Sequence, residues 1–137
     1  MKPRGIRNNN PLNLRHSRDT FKGEKVSTDK DFEQYESIEY GYRAAFVTLH
    51  TYLVKYGCNT IEKIIARFAP PNENNTQAYI AAVVKYSGVA ADEALTVTSG
   101  GKYILIVSAM SFVENGVNAD ISQIKAGFKL QSKITIQ

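Results

Sequence analysis

Four interruptions cut the second part of this chain into apolar segments of helical length: Gly57, the pair Pro70-Pro71, Gly88 and Gly116. Glycine is the usual residue just past a helix, where the backbone turns left-handed. Proline removes an amide donor and restricts the residue before it, so a helix stops there. From Ser37 to Gly57, residues Tyr42, Ala45, Phe46, Leu49 and Leu53 fall at i, i+3, i+4, i+7 and i+11, one continuous apolar face. Ser37 is a suitable N-cap for that helix. Thr60 caps a second, short helix through Phe68. After the loop 69–75, Thr76 opens a third, with Tyr79, Ile80, Val83 and Val84 on one side. Residues 89–99 read as a connector. A longer apolar helix follows over 101–115, with Tyr103, Ile106, Val107, Met110 and Val113 as its buried face, then an amphipathic segment near 120–130. Four or five helices around one core is the expectation.

The first 36 residues differ in kind. They are polar and rich in Asn, Arg and Lys, and carry no helical apolar period, so loop or short strand is expected. Ile6, Leu12 and Leu14 are the candidate inward contacts. Leu12–Arg15 and residues 31–35 both alternate with period two and predict a small antiparallel hairpin around the turn-rich stretch 17–30. The fold class is therefore α+β, mainly α. The expected organisation is a single domain over 1–137, with a loop and hairpin segment at 1–36 and a helical body at 37–132.

At 137 residues with 43% apolar and 22% charged content, the chain can build a core without disulfide or metal. Cys58, the single cysteine, has no neighbouring base and reads as a structural thiol. The net charge of +4 favours anionic partners in general, but the charges are spread along the chain, which makes nucleic acid the weakest candidate. No apolar run approaches the ~18 residues of a membrane span. The N-terminus is basic without an apolar core, so no signal peptide is expected and a holin, a secretion machine or a virion would have to deliver the protein outside the cytoplasm.

His16 and His50 stand far apart without ligand spacing, and no phosphate loop or nucleophile elbow is present, so neither metal nor cofactor is expected. The carboxylates say more. Glu114 follows Met110 by four residues and Tyr103 by eleven, which sets it on the apolar stripe in the last turn of its helix. Burial and the negative end of the helix dipole would both favour the protonated carboxyl of a general acid. The plain alternative is a side chain that curls to solvent or caps a nearby amide. Glu73, Asn74 and Asn75 lie in a Pro/Asn-rich loop between helices, a common place for binding residues. Asn8-Asn9-Asn10-Pro11 is either turn chemistry or a set of amides suited to sugar hydroxyls and N-acetyl groups.

Three blocks carry a resemblance: Arg4-Gly-Ile-Arg-Asn-Asn-Asn-Pro-Leu-Asn-Leu-Arg15, then Phe32 to Ala45, then Ile64-Ile-Ala-Arg-Phe-Ala-Pro-Pro-Asn-Glu-Asn-Asn-Thr-Gln-Ala-Tyr79. Together they resemble a family of small phage- and prophage-encoded proteins, usually labelled virion structural proteins, in phages of Bacteroidetes and other Gram-negative bacteria. Members often carry Trp where this chain has Phe21 and Phe68, and this chain has none. The run Asn9-Asn-Pro-Leu-Asn-Leu14, then Phe21-Lys-Gly23, then Phe32-x-x-Tyr-x-Ser-x-Glu39 also looks like the hairpin region of lysozyme-like glucosaminidases. There a helix ending in the catalytic glutamate precedes the hairpin. Here Ala109-Met-Ser-Phe-Val-Glu114-Asn-Gly116 resembles that helix end, near the other terminus.

The resemblance implies a circularly permuted lysozyme-like domain, with Glu114 as general acid acting on peptidoglycan glycan strands during host-wall penetration or lysis. Asn10, Asn13, Arg15, Gln34, Glu73, Asn74, Asn75 and Tyr79 would bind substrate. A second acid has only Asp31, Glu33 and Glu36 as candidates, which points to the single-glutamate mechanism of lytic transglycosylases rather than a carboxylate pair. The competing expectation is a non-catalytic virion structural or adaptor protein that keeps the shape and binds cell wall or other virion proteins. The protein would then reside in the virion, or in the host cytoplasm with delivery to the periplasm.

Overall fold

A computed structural model describes residues 2–137. In chain order they form α1 (Arg4–Arg7), β1 (Glu24–Lys25), β2 (Gln34–Tyr35), α2 (Ile38–Tyr56), α3 (Ile61–Phe68), α4 (Thr76–Ser87), α5 (Gly100–Asn115) and α6 (Ile121–Lys129). The architecture is mainly helical with one two-stranded antiparallel sheet among the described residues.

The stop and start signals act as their chemistry dictates. Ser37 accepts from the Tyr40 amide and Thr60 from the Lys63 amide, each satisfying an orphan donor of the first turn. Gly57, Gly88 and Gly116 all adopt left-handed backbone past their helices. One cap differs from expectation. Asn75, not Thr76, caps α4, its side chain accepting from the Ala78 amide at 3.1 Å. Thr76 turns back to donate to the Ala69 carbonyl at 2.6 Å, closing the Pro-Pro loop onto the end of α3.

α5 is buried on most of its circumference, through Tyr103, Ile104, Ile106, Val107, Ala109 and Met110, rather than along one stripe. A helix apolar all round belongs at the centre of a core, and α4, α6, α2 and α1 pack against it. α2 and α6 lie against each other, with Phe46 and Phe128 meeting edge to face at 5.1 Å between ring centres.

The N-terminal segment departs from the expected hairpin in two ways. A four-residue helix, Arg4–Arg7, occurs where loop or strand was anticipated. It is too short to show an apolar period. The strand that pairs with Gln34–Tyr35 is Glu24–Lys25, inside the stretch read as turns, and Leu12–Arg15 contributes only a single bridge between Arg15 and Phe32. The pairing of the two ends of the segment was thus right at one residue pair and wrong in its main register. Leu12 and Leu14 are buried as expected, while Ile6 is half-buried.

Side chains hold this segment together where the sheet is small. Asp29 takes a two-pronged contact from Arg4 at 2.7 and 2.6 Å, accepts from Asn8, and accepts the amides of Asp31 and Phe32. Those donors hold its carboxyl well below the usual carboxylate range, Arg4 foremost. Asn10 is fully buried. Its amide donates to the Leu14 and Glu33 carbonyls and its oxygen accepts the Leu14 amide, so every polar atom of the side chain is used.

The segment lies directly on α2. A methyl group at Gly41 would overlap the Asn9 carbonyl oxygen and lie 2.7 Å from the Pro11 ring. Gly41→Ala should therefore force the loop off the helix, with a loss of roughly 1–3 kcal/mol as for overpacked cores. Equilibrium denaturant unfolding measures this, and an unchanged midpoint would show that the loop yields freely.

Candidate functional site

The placement of Glu114 begins at the end of α5. Gly116, left-handed, donates its N–H to the Phe112 carbonyl at 2.8 Å and stops the helix two residues past the glutamate. Between them Asn115, buried, donates to the Pro11 carbonyl at 2.8 Å and to the Ser111 carbonyl at 2.9 Å. This amide ties the end of α5 to the N-terminal loop. Asn13 has positive φ, a conformation asparagine tolerates. Its amide donates to Glu114 Oε1 at 2.9 Å across 101 positions of sequence. The Tyr79 hydroxyl, from the first turn of α4, donates to Glu114 Oε2, also at 2.9 Å. Burial and the adjacent Glu114 charge both push the Tyr79 phenol above its ordinary value, so it remains a donor.

Glu114 is half-buried and lines a cleft of about 880 Å³. One wall is the N-terminal segment, with Asn13, Arg15 and Phe21 to Lys22 together with Phe32 and Glu33. The other is α2, through Val47, Thr51 and Tyr52, continued by Arg67 and Phe68 at the end of α3 and by Glu73 and Asn74 after it. A volume of this order accommodates an extended ligand of a few rings. Phe21 and Phe68 both line it.

The expected site residues divide. Asn13, Arg15, Glu73, Asn74 and Glu114 line the cleft, and Tyr79 reaches it through its contact with the glutamate. Asn10, Gln34 and Asn75 are placed elsewhere. Asn10 is spent inside the loop, Gln34 donates to the Asn8 side chain at 2.9 Å and faces Thr28, and Asn75 caps α4. For Asn8, Asn9 and Asn10, turn and loop chemistry is what the amides do, since Asn8 donates to Asp29 and Asn9 to the Tyr35 carbonyl.

Among the candidates for a second acid, Glu33 sits in the cleft wall but is only 1% exposed. Its Oε1 accepts from the Tyr35 hydroxyl at 2.7 Å, while Oε2 is sealed from solvent without a partner. Burial raises its carboxyl from an ordinary 4.5 to about 6, against the lowering effect of the Tyr35 hydrogen bond. Glu24 and Asp19 add to the rise and His16 opposes it. Because the folded value lies above the unfolded one, the carboxyl costs no stability below pH ~4.5. It costs progressively more as pH rises through about 6. A shift of that size amounts to ~2 kcal/mol. Denaturation midpoints should fall over this pH range in the native sequence and stay flatter in Glu33→Gln; parallel pH profiles would remove Glu33 as the cause.

No family model matches the chain. Protein P5 of Pseudoalteromonas phage PM2 is 40% identical to it over 131 residues, which span 92% of this chain and 80% of the phage protein. That stretch takes in both ends of the contact between Asn13 and Glu114 if the match begins within the first twelve residues, as its length requires for a 137-residue chain. Identity at this level over this length establishes common descent and a shared fold, and the chain belongs to the family of PM2 protein P5.

Proposed function

We propose that this protein is a phage-associated peptidoglycan-cleaving glycosidase of lysozyme or lytic transglycosylase type, a single lysozyme-like domain in circularly permuted order. The observation that carries the reading is the position of Glu114, in the last turn of a buried helix, lining a cleft of about 880 Å³ and held by donors from two distant segments. Orientation of this kind is what a general acid needs before pKa matters. A phage relative fits a role in crossing or dissolving a host wall.

In this reading Glu114 gives its proton to the glycosidic oxygen as the C1–O bond breaks. The substrate's N-acetyl oxygen then bonds to the electron-poor C1. Water, or the sugar's own C6 hydroxyl, displaces that oxygen, and the proton it loses returns to Glu114. Water yields a reducing end and the C6 hydroxyl an anhydro sugar. Glu33, with one oxygen bonded to Tyr35 and the other sealed, does not serve as the second carboxylate of a paired mechanism; Asp19 and Glu73 are the other acids that line the cleft. Asn13 and Tyr79 orient the acid, and Asn74, Glu73 and Arg15 offer polar contacts to the sugar chain along the cleft.

A second reading has its own support. Both oxygens of Glu114 are satisfied by protein donors at 2.9 Å, so the same contacts could serve only to fasten the N-terminal loop to α5 in a non-catalytic virion structural or adaptor protein. Delivery within the virion suits either. Digestion of purified peptidoglycan separates them. The native protein should release soluble fragments, and Glu114→Gln, which keeps the shape and an acceptor for Asn13, should be slower by about 10²–10⁴-fold. Equal release by both, or none by either, would move the assignment to the structural reading, and the end groups of the fragments would show which nucleophile completes the reaction.

A further inference from the structure

Two arginines of the cleft lie over aromatic rings and have no acidic partner among the described residues. The Arg67 guanidinium lies 3.3 Å over the centre of the Tyr56 ring and 5.4 Å from that of Tyr52. Arg15, on the opposite wall, lies 5.3 Å over Phe32. The ion pairs among the described residues are those of Arg4 with Asp29 and Asp31 and of Lys102 with Glu93. The arginine side chains that donate hydrogen bonds there are Arg4 and Arg43.

Ring stacking fixes the plane of a guanidinium but leaves the donors along its edge free. Those edge donors form a fork that matches a carboxylate, and holding the side chain in advance lowers the entropy lost when one binds. A structural arginine would spend the fork on a protein acceptor, as Arg4 does with Asp29. Two such groups lining one cleft suit a ligand that carries negative charge at more than one place.

We propose that Arg67, with Arg15 as the lesser partner, forms a carboxylate-binding subsite that selects glycan strands bearing acidic substituents over uncharged ones. This rests on the glycan-cleaving reading and adds to it the chemical class of strand. In peptidoglycan the acidic groups are the lactyl carboxylates where no peptide is attached, and the carboxylates of the peptide where one is. Arg67 acts on recognition, not on the bond that breaks.

The test uses full-length protein carrying Glu114→Gln, so that ligands persist, and measures its affinity for a tetrasaccharide of N-acetylglucosamine alone and for one containing muramic acid with free lactyl carboxylates. The acidic oligomer should bind about tenfold more tightly at low salt, in line with one charge-assisted contact, and the ratio should shrink as salt rises. Adding Arg67→Met should bring the ratio close to one. Arg67→Lys, which keeps the charge without the fork or the stacking, should give an intermediate ratio and guards against a folding defect in the methionine variant. A ratio near one in the Glu114→Gln protein, or a large ratio that survives Arg67→Met, overturns the subsite. Absence of binding to both oligomers instead overturns the glycan reading on which it stands.

Discussion

The candidate site depends on buried amide hydrogen bonds that seat the N-terminal loop on the ends of two helices. Asn10 folds the loop by satisfying backbone groups of Leu14 and Glu33, and Asn115 fastens it to α5 through the Pro11 carbonyl. Gly41 opens the space on α2 that lets the loop come close. Such bonds matter less for their net stabilisation than for the cost of leaving them unmade, because a buried amide without a partner loses its hydration for nothing. The loop therefore has one well-determined seat, and Asn13 arrives at Glu114 as a result.

Much of the helical body was legible in the sequence because its signals are local. Ser37, Thr60, Gly57, Gly88 and Gly116 each act within one turn, and the apolar spacing from Tyr42 to Leu49 faces the core as expected. The N-terminal segment was less legible because its determinants are long-range. The pairing of Glu24–Lys25 with Gln34–Tyr35 has no alternating pattern to announce it, and α1 is a single turn held by Arg4 and Asp29 across 25 positions. Asn75 and Thr76 are both good caps, and which one serves is decided by the Ala69 carbonyl, a contact no window of sequence contains.

The site shows the same division. Glu114 stood out because a carboxylate on an apolar stripe breaks a local rule. Asn10, Gln34 and Asn75 looked equally polar and available, yet the first two spend their amides within the fold and the third uses its side-chain oxygen as the cap of α4. Arg67 carried no signal, since its meaning lies in two tyrosines of another helix that flank it. A polar side chain becomes informative once its partners are known, and a satisfied one then drops from consideration.

The link between Asn13 and Glu114 spans 101 positions, so the cleft joins early and late parts of the chain. Closing so long a loop is entropically costly and comes late when a chain folds. During synthesis the N-terminal loop must wait for α5 to leave the ribosome before it has a seat. The cleft is thus absent from incomplete chains and is completed only as the last helices pack.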